Sequence, residues 1–482
     1  MTDILHLVEK IQLASEKRIM LGKSDEKILA DYEARSRFYV ALADNNLSNS
    51  DVALQSFSTG DELLFQHREE NGINLLRKDL ERFPINFTNA EPPSVAAMLA
   101  RSFARVSRFS QSEMQHAKFI LATDLTYRPH ASVQEWASDR YLILMGRYLL
   151  ADLDVLARII ANHIGEIREP DDEAPWLNRD FPRTLLAGLE RSENQWQFAY
   201  KLCSAAEGER YRFATILTSG LFEDWVADEI WAGAIDFLMG HEIMHVLANH
   251  LREAPQCSED LPSIFRPAFD LLSTFFGADT EKRIAYYLGS YWPHHQREII
   301  ADTAGLLWAA GDGPTGAWDL RLMGAQLAIC TISFIDRATF FIEHQVDPAI
   351  LVGLDKYPYP GLIDLILPKP SHPWGKTRAA LVNSSVSSLY GHLFSEQEIL
   401  RKALLMKLVQ DIFGKYSAHA LAAIQFVNSR AGEFVAILPP GQNKLFTTYF
   451  PPSTTAEDKH EDIVTDASQF YMDLSGWKLR RY

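Results

Sequence analysis

Two histidines one helical turn apart, with a carboxylate beside the first, make His241-Glu242-Ile243-Met244-His245 the stretch of this chain with the most chemistry in it. On a helix, residues i and i+4 project from one face, so both imidazoles can hold a single metal ion. Glu242 then stands beside water on that ion and can take its proton, which is the metal-assisted hydrolysis of the HExxH pattern. The preceding run, 228–240, reads as helix and would carry the motif. The plain alternative is a surface helix with two solvated histidines.

A catalytic zinc takes three protein ligands and keeps a fourth position open. Glu298-Ile-Ile-Ala-Asp302 can complete the set, because its carboxylates are again at i and i+4 and the chain continues apolar through Ala304-Gly305-Leu306-Leu307-Trp308. A helix buried on that side would face the first one. Glu298 is the expected third ligand. Asp302 is the expected acceptor of the other ring N–H of a ligating histidine, fixing its tautomer. An exposed acidic turn is the alternative for this segment taken alone.

Together these residues resemble the gluzincin metallopeptidases, the family that includes HtpX and the CAAX prenyl proteases. Further pieces of the family pattern occur in order. His250 follows His245 by five residues, as in the family's extended HExxH…H helix; 211–221 looks like the strand and turn before that helix; Ser371-His372-Pro373-Trp-Gly-Lys-Thr-Arg378 matches the family's His-Pro followed by an arginine. The resemblance covers about residues 205–385. It implies a gluzincin-type core, a Zn2+ cofactor, and a role for His372 or Arg378 in stabilising an oxyanion. Two departures stand out. Met244 occupies a position before the second histidine that is small in the family, where the metal helix packs closely on its neighbour. Family members are mostly integral membrane proteins, whereas the longest apolar run here, 322–335, is too short to span and is bounded by Arg321 and Asp336.

Composition points to a soluble, cytoplasmic enzyme. The chain has 482 residues, 47% of them hydrophobic, enough for two or three domains with a substantial core. Its first residues lack a basic segment followed by an apolar one, so no secretory signal is expected. Cys203, Cys257 and Cys330 are few, odd in number and far apart, which argues for reduced thiols rather than a disulfide framework. A formal charge of −16 and the lack of a basic stripe argue against nucleic acid as a partner. The expected partner is a protein or peptide substrate, and no transmembrane segment is expected; the sequence fixes no oligomeric state.

The elements that must position the site read as mainly α (α+β): a gluzincin-type metallopeptidase core with a small sheet, flanked by helical N-terminal and C-terminal regions. Residues 1–190 are the helical N-terminal region, 191–394 the metallopeptidase domain and 395–482 a C-terminal extension. The charged, proline-bounded 169–175 stretch and the vicinity of Glu193 are the candidate cuts. Amphipathic spacing predicts helices over 4–20 and 25–42. Ser132 with Glu135 three residues on reads as a capping box, opening a long buried helix, or two, that runs to Ile164. Alternation over 210–217 predicts a strand whose edge can pair with an extended substrate if it is free, or an interior hairpin strand if it is not. Ser395 opens a capped helix.

The reading that follows is a zinc endopeptidase in which Glu242 takes the proton of water and passes it to the leaving amine. Two others remain: a catalytically silent metal-binding scaffold whose flanks bind partners, and a narrowly targeted toxin or defence protease, similar in logic to the phage-exclusion peptidases that carry HExxH. An intact Glu242 argues against the silent scaffold.

Overall fold

In the computed structural model the described residues are 2–19, 25–43, 82–83, 85–110, 114, 116–125, 130–169, 172, 174–178, 180–182, 184–185, 201–202, 218–252, 265–311, 316–344, 361–366, 372–390 and 395–429. They form, in chain order, α1 (Thr2–Ile19), α2 (Asp25–Ala43), β1 (Ile85–Asn86), α3 (Pro93–Ser107), β2 (Lys118–Asp124), β3 (Ala131–Ala137), β4 (Arg140–Gly146), α4 (Arg147–Ile167), α5 (Leu221–Leu247), α6 (Arg266–Phe276), α7 (Asp279–Ser290), α8 (Trp292–Ala310), α9 (Gly316–His344), α10 (Leu362–Ile366), α11 (Gly375–Tyr390) and α12 (Glu396–Ser429). The architecture is mainly helical, with one small mixed sheet among the described residues. The strand expected at 210–217, Cys203, Cys257 and the chain from 430 onward lie outside them.

The sheet corrects the expected capping box. Ser132 and Glu135 lie on strand β3, paired with Leu144 and Tyr141 of β4 in an antiparallel hairpin, and the helix begins only at Arg147. The hairpin turns at Ser138-Asp139, where Asp139 takes φ 56, a left-handed conformation that aspartate tolerates. The order is β1-β2-β4-β3, with β2 parallel to both neighbours, so β3 is an edge among the described residues. β4 was misread because both its faces are covered. Tyr141, Ile143 and Met145 join the main core, while Leu142 joins Ile120, Ala122 and Val8 beneath α1. A strand buried on two sides is a continuous apolar run, and periodicity cannot distinguish that from a buried helix.

Helix α5 is the axis of the molecule. Its residues from Val226 to Ile243 are buried nearly all round, as expected for a helix enclosed by others, and α3, α4, α8 and α9 pack on it. Polar anchors fix its position. Asp236 is gripped from α3 by Arg105 Nε at 2.6 Å and Nη2 at 2.7 Å, and by the Ser102 hydroxyl at 2.7 Å. Trp231 Nε1 donates to the Leu150 carbonyl of α4 at 3.0 Å. Small residues set its approach to α8: a Cβ on Gly240 would lie 2.9 Å from Gly305 Cα, and one on Gly305 only 2.7 Å from the Phe237 carbonyl oxygen. The close contact thus falls at Gly240, just before the first histidine, and Met244 is half-buried.

The apolar run 322–335 lies within α9, which packs on α5 and α12. Among the described residues no helix is long and apolar enough to cross a membrane. Helices α1 and α2 match the amphipathic spans closely. Ser395 caps α12, its hydroxyl donating to Glu398 Oε2 at 2.7 Å while Glu398 N–H donates back at 3.4 Å.

Candidate metal centre

The crossing of α5 with α8 brings the two motifs face to face. His241 Nε2 lies 3.1 Å from His245 Nε2 and 3.3 Å from Glu298 Oε2, and His245 Nε2 lies 3.6 Å from Glu298 Oε1. The three side chains are 7%, 13% and 17% exposed, so this is a recessed cluster rather than a solvated surface. Glu242 is buried on the same helix. His241, His245 and Glu298 form a group able to hold a metal ion.

Each histidine has a partner on its other nitrogen. His241 Nδ1 is 2.8 Å from Asp302 Oδ1. Asp302 in turn receives both Nε and Nη2 of Arg378, so a fully buried carboxylate is paired with a buried guanidinium. His245 Nδ1 is 3.0 Å from His250 Nδ1. His250 is not on an extension of the helix: α5 ends at Leu247, and Asn249, at φ 57, turns the chain back. Arg297 of α8 holds the His250 carbonyl at 2.9 Å.

The segment carrying His372 is clasped from α10. Trp374 N–H donates to Asp364 Oδ1 at 2.8 Å, and Gly361 N–H, at φ 84, donates to the Thr377 hydroxyl at 2.6 Å. His372 Nε2 thereby stands 2.7 Å from Glu298 Oε2, and its ring is stacked at 6.2 Å on that of His241. Arg378, for which the family resemblance implies an oxyanion role, is 2% exposed and directs its Nε and Nη2 to Asp302.

The charges respond to this packing. Burial opposes a charge on His241, but its hydrogen bonds with Asp302 and Glu298 outweigh burial and hold the pKa up at about 10. Burial likewise opposes ionisation of Asp302, and Arg378 overrides it, bringing the carboxyl to about 2. Glu298 is driven well below the carboxylate range, against burial, by His372 and the two facing histidines. Glu242 moves the other way, pushed up by burial despite His241 and His245. A raised glutamate beside a lowered one is the separation that acid–base chemistry needs.

The donor set fits a tetrahedral metal ion. Ligands at about 2.0–2.1 Å from zinc span edges of about 3.3 Å; the two Nε2 atoms are 3.1 Å apart, each lies near a different Glu298 oxygen, and taking one donor atom from each residue the set lies within 4.8 Å. With the Nδ1 atoms of both histidines turned to Asp302 and His250, two Nε2 atoms face an ionised carboxylate that His372 Nε2 also approaches. A cation in place of the Nε2 protons would meet two imidazole lone pairs and a carboxylate, a donor set that suits zinc.

Comparison of the chain with protein-family models, curated proteins and solved structures returned no match.

Sequence reasoning did not find the packing of Gly240 on Gly305, the Arg297 bond to the His250 carbonyl, or the Asp364 and Thr377 clasp. All of these join residues distant in sequence. Only the adjacency of Gly240 to the motif gave any local signal.

Proposed function

We propose that the chain is a zinc-dependent endopeptidase with a gluzincin-type core, hydrolysing peptide bonds of protein substrates in the cytoplasm. The convergence of His241 Nε2, His245 Nε2 and the Glu298 carboxylate, beside a buried Glu242, carries this reading. When bound, the ion supplies Lewis acidity toward a carbonyl oxygen and acidifies water.

The protein's own groups do the rest. Glu242, its pKa raised by burial, accepts a proton from water and returns it to the leaving amine. His372, held by its clasped segment at the edge of the cluster, is positioned to donate to the oxygen on which negative charge develops. Arg378 acts at one remove, fixing Asp302, which fixes the ring of His241. The narrowly targeted protease is a special case of this reading, differing only in substrate range.

Two measurements test it. Purified protein is expected to hold about one zinc per chain, and His241→Ala/His245→Ala to hold none; undiminished zinc in the double variant removes the ligand assignment. Glu242→Gln is expected to keep metal and fold while abolishing the new amino termini that the wild type generates in cells. Unchanged cleavage by that variant would remove Glu242 as the base, and metal retention with no cleavage even by the wild type would favour the scaffold.

A further inference from the structure

The two histidines of the motif are supported unequally. His241 leans on a carboxylate, itself paired with Arg378. His245 leans on a neutral-type acceptor, the Nδ1 of another imidazole, at 3.0 Å with the rings near edge-on at 62°. If His245 Nε2 is a ligand, its lone pair faces the site and its single ring proton must be on Nδ1. That proton needs an acceptor. The only atom of His250 within reach is its own Nδ1, which accepts only when the proton of His250 is on Nε2. The ligand role of one histidine thereby dictates the tautomer of the other.

The backbone is built to deliver this contact. The helix stops at Leu247, Asn249 adopts φ 57, and His250 N–H donates to the His245 carbonyl at 3.0 Å, so the chain folds back over its own last turn. Asparagine is among the residues that tolerate this left-handed conformation. On one side Arg297, the neighbour of Glu298 on α8, holds the His250 carbonyl. On the other, the Arg252 guanidinium bonds Glu135 and Asp139 at the hairpin end of β3. The turn that carries His250 is therefore clamped between the helix of the third ligand and the sheet edge.

We propose that His250 is the positioning residue of His245, fixing its tautomer and ring plane through an Nδ1–H···Nδ1 hydrogen bond and so setting the affinity of the site for its metal. The proposal rests on the metal-centre reading. His250 touches neither substrate nor metal. It does for His245 what Asp302 does for His241, without adding a negative charge.

The covalent layout of the side chains gives a direct test. Asparagine Oδ1 and aspartate Oδ1 sit the same number of bonds from Cα as histidine Nδ1, so His250→Asn keeps an acceptor in place and His250→Asp keeps it with a charge, whereas His250→Leu retains bulk and loses the acceptor. Zinc affinity is measured on the full chain by competition with a chelator, alongside thermal unfolding of the metal-free protein. His250→Leu is expected to bind zinc about 10–100-fold more weakly, His250→Asn to remain near the wild type, and His250→Asp to bind at least as tightly as the wild type. Wild-type affinity in His250→Leu overturns the proposal and leaves the metal centre standing. Equal weakening in His250→Asn and His250→Leu, with unfolding temperatures unchanged, also overturns it, since bulk or ring packing rather than the hydrogen bond would then be at work. A wild-type chain whose zinc binding does not depend on His241 and His245 overturns the metal-centre reading, and this proposal with it.

Discussion

Asp302 and Arg378 show at the scale of single residues how the site depends on what lies behind it. Both are almost fully buried, and each is acceptable there only because of the other. Removing the cation alone, as in Arg378→Met, leaves an ionised carboxylate in the interior and is expected to destabilise the fold by about 3–5 kcal/mol. Combining it with Asp302→Asn removes the stranded charge and is expected to recover much of that loss, while zinc affinity stays low because His241 has lost its anionic partner. Denaturant unfolding of the two variants reads the first effect and chelator competition the second; a single variant as stable as the wild type would show that Arg378 does not hold Asp302. The residues that the structure brings into this cluster were legible in sequence because helical spacing is local: His241 with His245, and Glu298 with Asp302, are each four residues apart. The partner of Arg378 was not, because nothing local records a contact 76 residues away. The family resemblance implies an oxyanion role for its cation, whereas the structure directs it to Asp302.

Elements explain why these residues meet at all. Helices α5 and α8 approach until the Gly240 and Gly305 backbones touch, and that approach sets the distance between the histidines and Glu298. Gly305→Ala places a methyl group 2.7 Å from the Phe237 carbonyl oxygen, which neither helix can yield without moving. Loss of zinc affinity and a destabilisation of about 1–3 kcal/mol are expected. Gly289→Ala in α7 is the matched control, since its Cβ would meet nothing within 4 Å; there the substitution is expected to stabilise by about 0.4–1 kcal/mol. Thermal unfolding with zinc titration separates the pair, and equal tolerance of both changes would dismiss the close crossing as the spacer of the site. Helices α1 and α2, which carry polar faces, were read correctly. The hairpin of β3 and β4 was missed because its second face is covered by α1, so the alternation that marks a half-exposed strand is absent from β4. The end of α5 was missed for a different reason: Asn249 is compatible with a helix, and only its left-handed φ reveals the turn that presents His250.

The whole molecule ties the metal helix to segments on both sides of it in the chain. One core cluster runs from Phe83 and Phe119 near the sheet through Leu153 of α4, Ile230 and Phe237 of α5 and Leu322 of α9 to Val409 of α12. A second, smaller cluster, with Phe265, Tyr287, Trp292 and Trp374, backs the other side of α8. Residues 191–394, the span expected from sequence to form a metallopeptidase domain, therefore share their main core with strands and helices outside that span. Excising them would expose the apolar faces of α5 that α3 and α4 cover and would remove the Arg105 and Ser102 bonds that fix Asp236. The isolated 191–394 fragment is expected to aggregate or to lack cooperative unfolding, whereas the full chain is expected to show one cooperative transition. Scanning calorimetry and metal analysis of the fragment and the full chain check this. A fragment 191–394 that unfolds cooperatively and binds zinc with the affinity of the full chain would mean that the flanking helices serve recognition alone, and that α5 is held by α8 and α9 without them.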